Sequence, residues 1–463
     1  MDIVIIGLGP GDASLLTAEA KEVLDNAKEV YLRTRRHPAV SSLPTHLTVH
    51  SFDDLYEAEE EFSAVYEEIT TQILKLAQRA EGVIYAVPGH PLVGEESVRR
   101  ILALAEEGDL EVRIVVGVSF IDAALLPLGI DPLEGLQIVD ATVLAGRLHP
   151  NLDPDLPALV GQLYSRRVAA EVKLTLMNLY PADHPVTILR QLGTPEAETD
   201  TSPLHELDHL KEVDHLTSLY VPPLPNPSSV STFHDIVARL RAPGGCPWDR
   251  EQTHQSLRPH LLEETYEVLK AIDEEDDVAL REELGDLLLQ IILHTQMAVE
   301  AGEFTLAQVL ETIIAKIVRR HPHVFDGLEV ADADEVLRNW QAIKRAEKPQ
   351  GDKPLWGMPL SMPALTLAQR AQERAKREGL VSPTQEQLLA EIDRSLDRLR
   401  EIKDEEKAAS ELGQLLFTLA DLGRQLGVDA ESALRIATIR FGETVAPPPS
   451  QREDAEDQNH SNE

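Results

Sequence analysis

Short apolar runs alternate with longer amphipathic stretches over the first 220 residues. Residues 3–6, 82–87, 112–116 and 173–178 are continuously or alternately apolar, which predicts buried strands. Residues 14–28 and 62–79 repeat apolar positions at three- and four-residue spacing, which predicts amphipathic helices. Strands alternating with helices predict an α/β fold over residues 1–220. Residues 221–229 hold four prolines in nine positions, the composition of a semi-rigid linker. Beyond it the strand signal stops. Residues 233–240, 259–273, 278–301, 306–320 and 333–347 have helical periodicity, and a second helical block runs from 365 to about 441. The chain is therefore expected to be multidomain: an α/β part, then an all-α part with two helical blocks over 230–350 and 360–442. A polar, charged tail over 443–463 is expected to be disordered.

Composition narrows the function. A chain of 463 residues exceeds what one core sustains, so two or more domains are expected. Aromatic residues make up only 4% of a chain that is 43% hydrophobic, so the cores should be aliphatic. A net charge of −37 opposes a nucleic acid polymer or an anionic membrane as partner, because both select a basic face. Cys246 is the only cysteine, so no intrachain disulfide can form and a reducing compartment fits. The N-terminus runs into an apolar strand without a basic leader, and no apolar run approaches a membrane span. A cytoplasmic location is the expectation.

The chemistry concentrates in the helical part. Glu264 and Glu267 lie three apart on one predicted helix, and Glu283 and Asp286 do the same on the next, so each pair shares a face. If the chain reverses near residue 275, Glu264 comes level with Asp286 and Glu267 with Glu283. Four carboxylates then converge, an arrangement that is unfavourable unless a cation sits among them. Hard oxygen ligands on a helical scaffold suit Mg²⁺. The same pattern is compatible with two solvated helix faces. Lys316 and Arg320, four apart on a third helix, suit phosphate recognition or a favourable basic helix end. His321 and His323 flank Pro322 and read as a helix end rather than a metal pair.

With these residues in view, a family resemblance emerges. Gly245-Cys-Pro-Trp-Asp249, Leu262-Glu-Glu-Thr-Tyr-Glu-Val268, Glu283-Leu-Gly-Asp-Leu-Leu288, Arg319-Arg-His-Pro-His-Val-Phe325 and Trp340-Gln-Ala-Ile-Lys344 together resemble the MazG family. The resemblance implies hydrolysis of nucleoside triphosphates between the α and β phosphates. It places Mg²⁺ on Glu264, Glu267, Glu283 and Asp286, with Glu264 and Glu267 counted as catalytic, and phosphate contacts on Lys316 and Arg320. It also implies pairing of subunits, hence a homodimer. Glu263 is a candidate for orienting the attacking water. Trp248 suits either base stacking or a core anchor.

A second copy follows. Leu388-Leu-Ala-Glu-Ile-Asp-Arg394 and Glu411-Leu-Gly-Gln-Leu-Leu416 echo the first set with the same geometry, but the four ligand positions read Glu391, Arg394, Glu411 and Gln414. An arginine supplies its own charge where a cation would sit, and a glutamine removes a ligand. This copy is expected to bind no catalytic Mg²⁺ and to pack against the first.

In the α/β part, Gly7-Leu-Gly-Pro-Gly-Asp12 follows a strand and precedes a helix, where glycines let backbone approach a ligand closely. With Leu15-Leu-Thr-Ala18, Val87-Pro-Gly-His-Pro91, Val116-Gly-Val-Ser119 and Thr187-Ile-Leu-Arg-Gln-Leu-Gly-Thr194, it resembles the tetrapyrrole methylase family. That resemblance implies two α/β subdomains and S-adenosylmethionine as cofactor, with Gly7, Gly9, Pro10, Gly11, Asp12, Gly89, His90 and Ser119 at the binding loops. His90 stands where many members carry Asp. The joined arrangement resembles the YabN-type fusion proteins. The leading expectation is an Mg²⁺-dependent nucleoside triphosphate pyrophosphohydrolase fused to a methylase-like domain. The alternatives are a methyltransferase regulated by a nucleotide-sensing helical part, and a non-catalytic nucleotide-binding scaffold.

Overall fold

The computed structural model describes residues 2–58, 62–347, 358–380 and 383–445. The chain divides into two compact units, residues 1–309 and 310–463.

The first unit opens with β1 (Ile3–Gly7), α1 (Ala18–Asn26), β2 (Glu29–Leu32), β3 (Thr48–Ser51), α2 (Asp53–Ala58), α3 (Phe62–Ala77), β4 (Val83–Val87), α4 (Glu96–Glu107) and β5 (Val112–Val115). The strands form a parallel sheet in the order β3-β2-β4-β1-β5. β1 lies between β4 and β5, with Ile3 opposite both Val83 and Val112. Helices must cover both faces of such a sheet, which is why β1 reads as one unbroken apolar run. Ile3 and Ile5 pack with Val65, Ile69 and Ile101 from α3 and α4. Ile6 packs on the other side with Ala20 and Leu24 from α1.

A second sheet follows. Its elements are α5 (Phe120–Leu128), β6 (Gln137–Asp140), α6 (Ala141–Ala145), β7 (Ala158–Gly161), α7 (Arg166–Leu176), β8 (Pro185–Arg190), β9 (Glu198–Pro203) and β10 (Thr217–Val221). The order is β6-β7-β10-β8-β9, with β6–β7 parallel and the other neighbours antiparallel. Here the structure corrects one sequence expectation. Residues 173–178 are not a strand; most of them complete α7. Their alternation is real but short. Val168, Ala169, Val172, Thr175 and Leu176 are all buried, and that spacing is one face of a helix. Ser165 starts the helix by accepting from the Val168 N–H, a favourable N-cap.

The helical part begins at α8 (Val230–Arg241), directly after the proline-rich segment. Asp155, from the second α/β subdomain, accepts from the backbone N–H groups of Ser228 at 2.7 Å and Ser229 at 3.1 Å. Burial pushes the Asp155 carboxyl up, but bonds from Thr232 and those N–H groups outweigh it and hold it at about 2. α9 (Pro247–Glu251), α10 (Arg258–Asp273) and α11 (Asp277–Ala301) follow. A small core of Val237 from α8, Leu257 just before α10, and Ile292, Leu293 and Met297 from α11 holds α8 to α11. The Arg241 side chain, 6% exposed, pairs with Glu300 at 2.8 Å. It also donates to the Asp249 carbonyl, which fixes the Cys246–Asp249 stretch against α8 and α11.

α12 (Leu306–Arg320) carries the chain into the second unit. There lie α13 (Pro322–Phe325), α14 (Ala333–Ala346), α15 (Ala364–Arg377), α16 (Gln385–Glu401), α17 (Glu405–Gln425) and α18 (Ala430–Val445). Each helix predicted from periodicity forms within a few residues of its expected ends. α18 runs past 443, where the tail was expected to begin; residues 446–463 lie outside the described residues. Among the described residues no helix is long and apolar enough to cross a membrane.

Candidate functional sites

The α10–α11 hairpin reverses where the spacing predicted. Glu275 adopts a positive φ of 53°, and Asp276 caps α11 by accepting from the N–H groups of Val278 and Ala279, both at 3.0 Å. Carboxylate oxygens of Glu264, Glu267 and Glu283 lie within 4.8 Å of one another. Asp286 stands close enough to act on two of the three. Burial pushes the Glu264 carboxyl above its ordinary value, and the charges of Asp286 and Glu267 add to this. Glu283 is raised as well, first by burial and then by Glu267 and Asp286. Such crowding costs free energy that a bound cation would return. The donor set is all oxygen and Glu267 is exposed, which fits a hard divalent ion that keeps waters and phosphate oxygens in its shell.

The neighbours take different places. Glu263 is exposed and its carboxylate lies 3.6 Å from His260 Nδ1. Trp248 on α9 is 53% exposed and meets the His260 ring edge-on at 6.1 Å. That exposure argues against a core anchor and leaves the indole face accessible.

Lys316 and Arg320 lie in the second unit, on the C-terminal turns of α12. Lys316 is half-buried. Arg320 pairs with Glu347 at 2.5 Å and stacks over the Trp340 ring at 5.5 Å. Arg319 pairs with the same carboxylate at 2.7 Å. Bonds from both arginines hold Glu347 down at about 2. A phosphate at Arg320 would have to displace or share Glu347. His321 and His323 sit at a helix junction, as expected: Pro322 opens α13.

In the second copy, α16 and α17 repeat the hairpin, and a guanidinium occupies the midpoint. Arg398 Nη2 lies 2.8 Å from both Glu391 and Glu411. Arg394 adds a second pair to Glu391, also at 2.8 Å. The expectation was that Arg394 replaces the cation; the bridging group is in fact Arg398, one turn further along. It was missed because it stands outside the four ligand positions, although its place four residues after Arg394 was a usable signal. We expect Gln414→Ala to leave hydrolysis by the whole chain within about twofold of the parent, the usual range for an exposed side chain. Initial rates of pyrophosphate release would check this, and a severe loss without unfolding would give this copy a catalytic part.

In the α/β part, a cleft of about 1180 Å³ is lined from both sheets. Pro10, in the glycine loop after β1, reaches its wall. The Gly89 N–H donates to the Gly9 carbonyl at 2.7 Å, and the Gly9 N–H returns a bond at 3.2 Å. Gly9 itself has a φ of 78°. A Cβ on Gly11 would lie 2.0 Å from the Gly193 carbonyl oxygen, and one on Gly7 would lie 2.6 Å from that of Gly89. These glycines are required by backbone packed on backbone. Of the expected cofactor residues, Pro10 and Gly89 line the cleft. Asp12 spends its carboxylate on the Ser14 N–H at 2.8 Å. Ser119 caps α5 within a capping box. His90 Nδ1 accepts from the Leu92 N–H at 3.0 Å. The side chains of Asp12, Ser119 and His90 thus shape the loops.

Three cleft residues escaped the sequence reading, because no local motif joins them. His37 is buried and places Nε2 2.9 Å from the Gly9 carbonyl. A carbonyl only accepts, so Nε2 carries the proton, and Nδ1 accepts from the Ala39 N–H at 3.3 Å. Burial pushes His37 down to about 4, the Gly9 bond opposing and Arg33 assisting. Its folded value lies below the unfolded one. His37 therefore favours the fold above about pH 6.5, and this is lost as pH falls towards 4, by up to about 3 kcal/mol. Urea midpoints of the chain should fall over that window, and less steeply in His37→Leu. Arg33 and Glu95 form a 3.5 Å ion pair on the cleft wall, with side chains 21% and 5% exposed. Burial pushes Glu95 up to about 7, with Arg33 pulling against it.

Comparison with known proteins follows the same division. Residues 2–208 match the family of tetrapyrrole (corrin/porphyrin) methylases. Residues 252–325 match the MazG nucleotide pyrophosphohydrolase domain. The chain is 40% identical to the uncharacterized protein YabN of Bacillus subtilis (strain 168) over 449 residues, 95% of this chain and 91% of that one. It is 44% identical to the nucleoside triphosphate pyrophosphohydrolase/pyrophosphatase MazG of Thermotoga maritima over 45% of this chain and 80% of that protein. It is 43% identical to the nucleoside triphosphate pyrophosphohydrolase of Escherichia coli (strain K12) over 44% of this chain and 81% of that protein. The chain belongs to the YabN-type family, an enzyme in which a tetrapyrrole methylase domain is fused to a MazG nucleotide pyrophosphohydrolase domain.

Proposed function

We propose that the helical part hydrolyses nucleoside or deoxynucleoside triphosphates to the monophosphate and pyrophosphate with Mg²⁺. The observation that carries this is the convergence of Glu264, Glu267 and Glu283 within 4.8 Å, with Asp286 raising two of them. Glu264, Glu267, Glu283 and Asp286 would hold the ion, which when bound neutralises phosphate charge and lowers the pKa of a coordinated water. The chain's own groups do the rest. Glu263, adjacent in sequence to the ligand Glu264 and 3.6 Å from His260, would orient water for attack at the α phosphorus. Lys316 and Arg320 supply positive charge for the phosphate chain. Trp248 offers a half-exposed face for the base. The relatives named for this activity, in Thermotoga maritima and Escherichia coli, support the reading.

The α/β part, in this reading, binds S-adenosylmethionine at the loops around Pro10 and Gly89 and is a second, methyl-transferring half. Residues 1–220, 230–350 and 360–442 would be the functional modules, joined by the proline-rich segment 221–229. Exposed Leu262, Tyr266, Leu284 and Ile291 on α10 and α11 support a homodimer. The test is hydrolysis of each common triphosphate in ¹⁸O-labelled water with Mg²⁺. Pyrophosphate release with label in the monophosphate is expected. Label in the pyrophosphate, or release of orthophosphate alone, would defeat the proposed attack; no hydrolysis of any triphosphate would defeat the activity.

A further inference from the structure

Arg319 and Arg320 are neighbours on the last turn of α12, and successive side chains on a helix point about 100° apart. They nevertheless meet on one group, the Glu347 carboxylate. Arg319 donates to Glu347 Oε1 from Nε at 2.8 Å, and its Nη2 lies 2.7 Å from the same oxygen. Arg320 donates from Nε to Oε1 and Oε2 at 3.3 and 3.2 Å, and from Nη2 to Oε2 at 2.5 Å. The Nε–Nη2 edge of a guanidinium is a fork that takes a carboxylate or phosphate through two parallel bonds. Here both forks are filled by one side chain.

Glu347 is not favoured there by its own helix. It follows the end of α14, where its N–H donates to the Ile343 carbonyl at 3.1 Å. A negative charge at a helix C-terminus is opposed by the macrodipole, so the arginines supply the attraction that holds the carboxylate. The contact is open to solvent: the side chains of Arg319, Arg320 and Glu347 are 55%, 17% and 20% exposed. Arg320 also lies over the Trp340 ring at 5.5 Å, and Lys344 stands over the same ring at 4.7 Å. The indole can thus keep the Arg320 guanidinium in place while its edge changes partner.

We propose that Glu347 is an internal competitor for the phosphate chain of the substrate, a carboxylate that fills the forks of Arg319 and Arg320 until a polyphosphate displaces it. This rests on the reading of Arg320 as a phosphate contact. A carboxylate carries one negative charge and a triphosphate chain carries several, so the chain wins the exchange. A lone phosphate group gains less against the same competitor. Glu347 thereby sets a threshold of charge that triphosphates pass more readily than monophosphates, which favours the substrate over the monophosphate product.

Calorimetric titration of the full chain in Mg²⁺-free buffer tests this, with inorganic tripolyphosphate and orthophosphate as probes. Glu347→Gln keeps the shape of the side chain and removes its charge. It should bind tripolyphosphate about tenfold more tightly than the parent, the gain expected if the forks stand free about one-tenth of the time. Its preference for tripolyphosphate over orthophosphate should narrow. Glu347→Ala decides the matter in the same way should the amide disturb the helix end. Arg320→Ala should lose tripolyphosphate binding. Unchanged or weaker tripolyphosphate binding in Glu347→Gln would overturn the proposal, and the phosphate role of Arg320 would survive if Arg320→Ala still abolished binding. Tripolyphosphate binding that is absent throughout, or indifferent to Arg320→Ala, would overturn that role and the competitor with it. A chain that hydrolyses no triphosphate yet shows the tenfold gain would keep the competitor and lose only the activity.

Discussion

Glu267→Ala is expected to lose pyrophosphate release by on the order of a thousandfold, about 4 kcal/mol of transition-state stabilisation. The fold should survive. Glu267 is exposed and one of three carboxylates crowded within 4.8 Å, so its removal relieves repulsion in the metal-free chain. The melting temperature without metal should therefore equal or exceed that of the parent. Metal should act on the parent alone: Mg²⁺ should raise the melting temperature of the parent and leave the variant unmoved. The pH dependence has a definite sign. Glu264 and Glu283 are raised in the folded chain, so the folded state holds protons that the unfolded state has released. The metal-free parent should lose stability as pH rises from the ordinary carboxylate value of 4.5 through the raised values. Wild-type rates in Glu267→Ala, or a parent whose melting ignores Mg²⁺ at neutral pH, would remove the carboxylate cluster from the mechanism.

Gly11→Ala is expected to be the most damaging single substitution in the α/β part. The added methyl would fall 2.0 Å from the Gly193 carbonyl oxygen. Gly193 cannot yield easily, because its carbonyl accepts from the Asp12 N–H at 3.0 Å and its own φ is 79°. Overpacking of backbone against backbone costs about 1–3 kcal/mol or more. Differential scanning calorimetry should show a lower transition, and titration should show loss of S-adenosylhomocysteine binding. A neighbouring control separates strain from chemistry. Gly129 ends α5 with a φ of 63° and open space around it, so Gly129→Asn should be tolerated. Unchanged stability in Gly11→Ala would mean that the two loops move apart freely.

Much of this was legible in the residue order. The helix ends followed from the 3.6-residue period. The level carboxylates followed from counting outward from a turn that Glu275 and Asp276 do form. The glycine loop was recognisable because close backbone approach leaves a signature in residue type. Where the sequence reading failed, the cause was range. Residues 173–178 alternate like a strand, and the decision for a helix came from Val168, Ala169 and Val172, which had a core to face. Arg33 and Glu95 stand 62 positions apart and carry no mutual signal; only the parallel sheet brings them to one wall. His37 reads as an ordinary loop histidine until burial beside Gly9 removes its charge. Periodicity and motif are local properties and were determined by the sequence alone. Burial, pairing and the cleft's balance of charge depend on which distant segments share a dielectric environment, and that was decided by the tertiary structure.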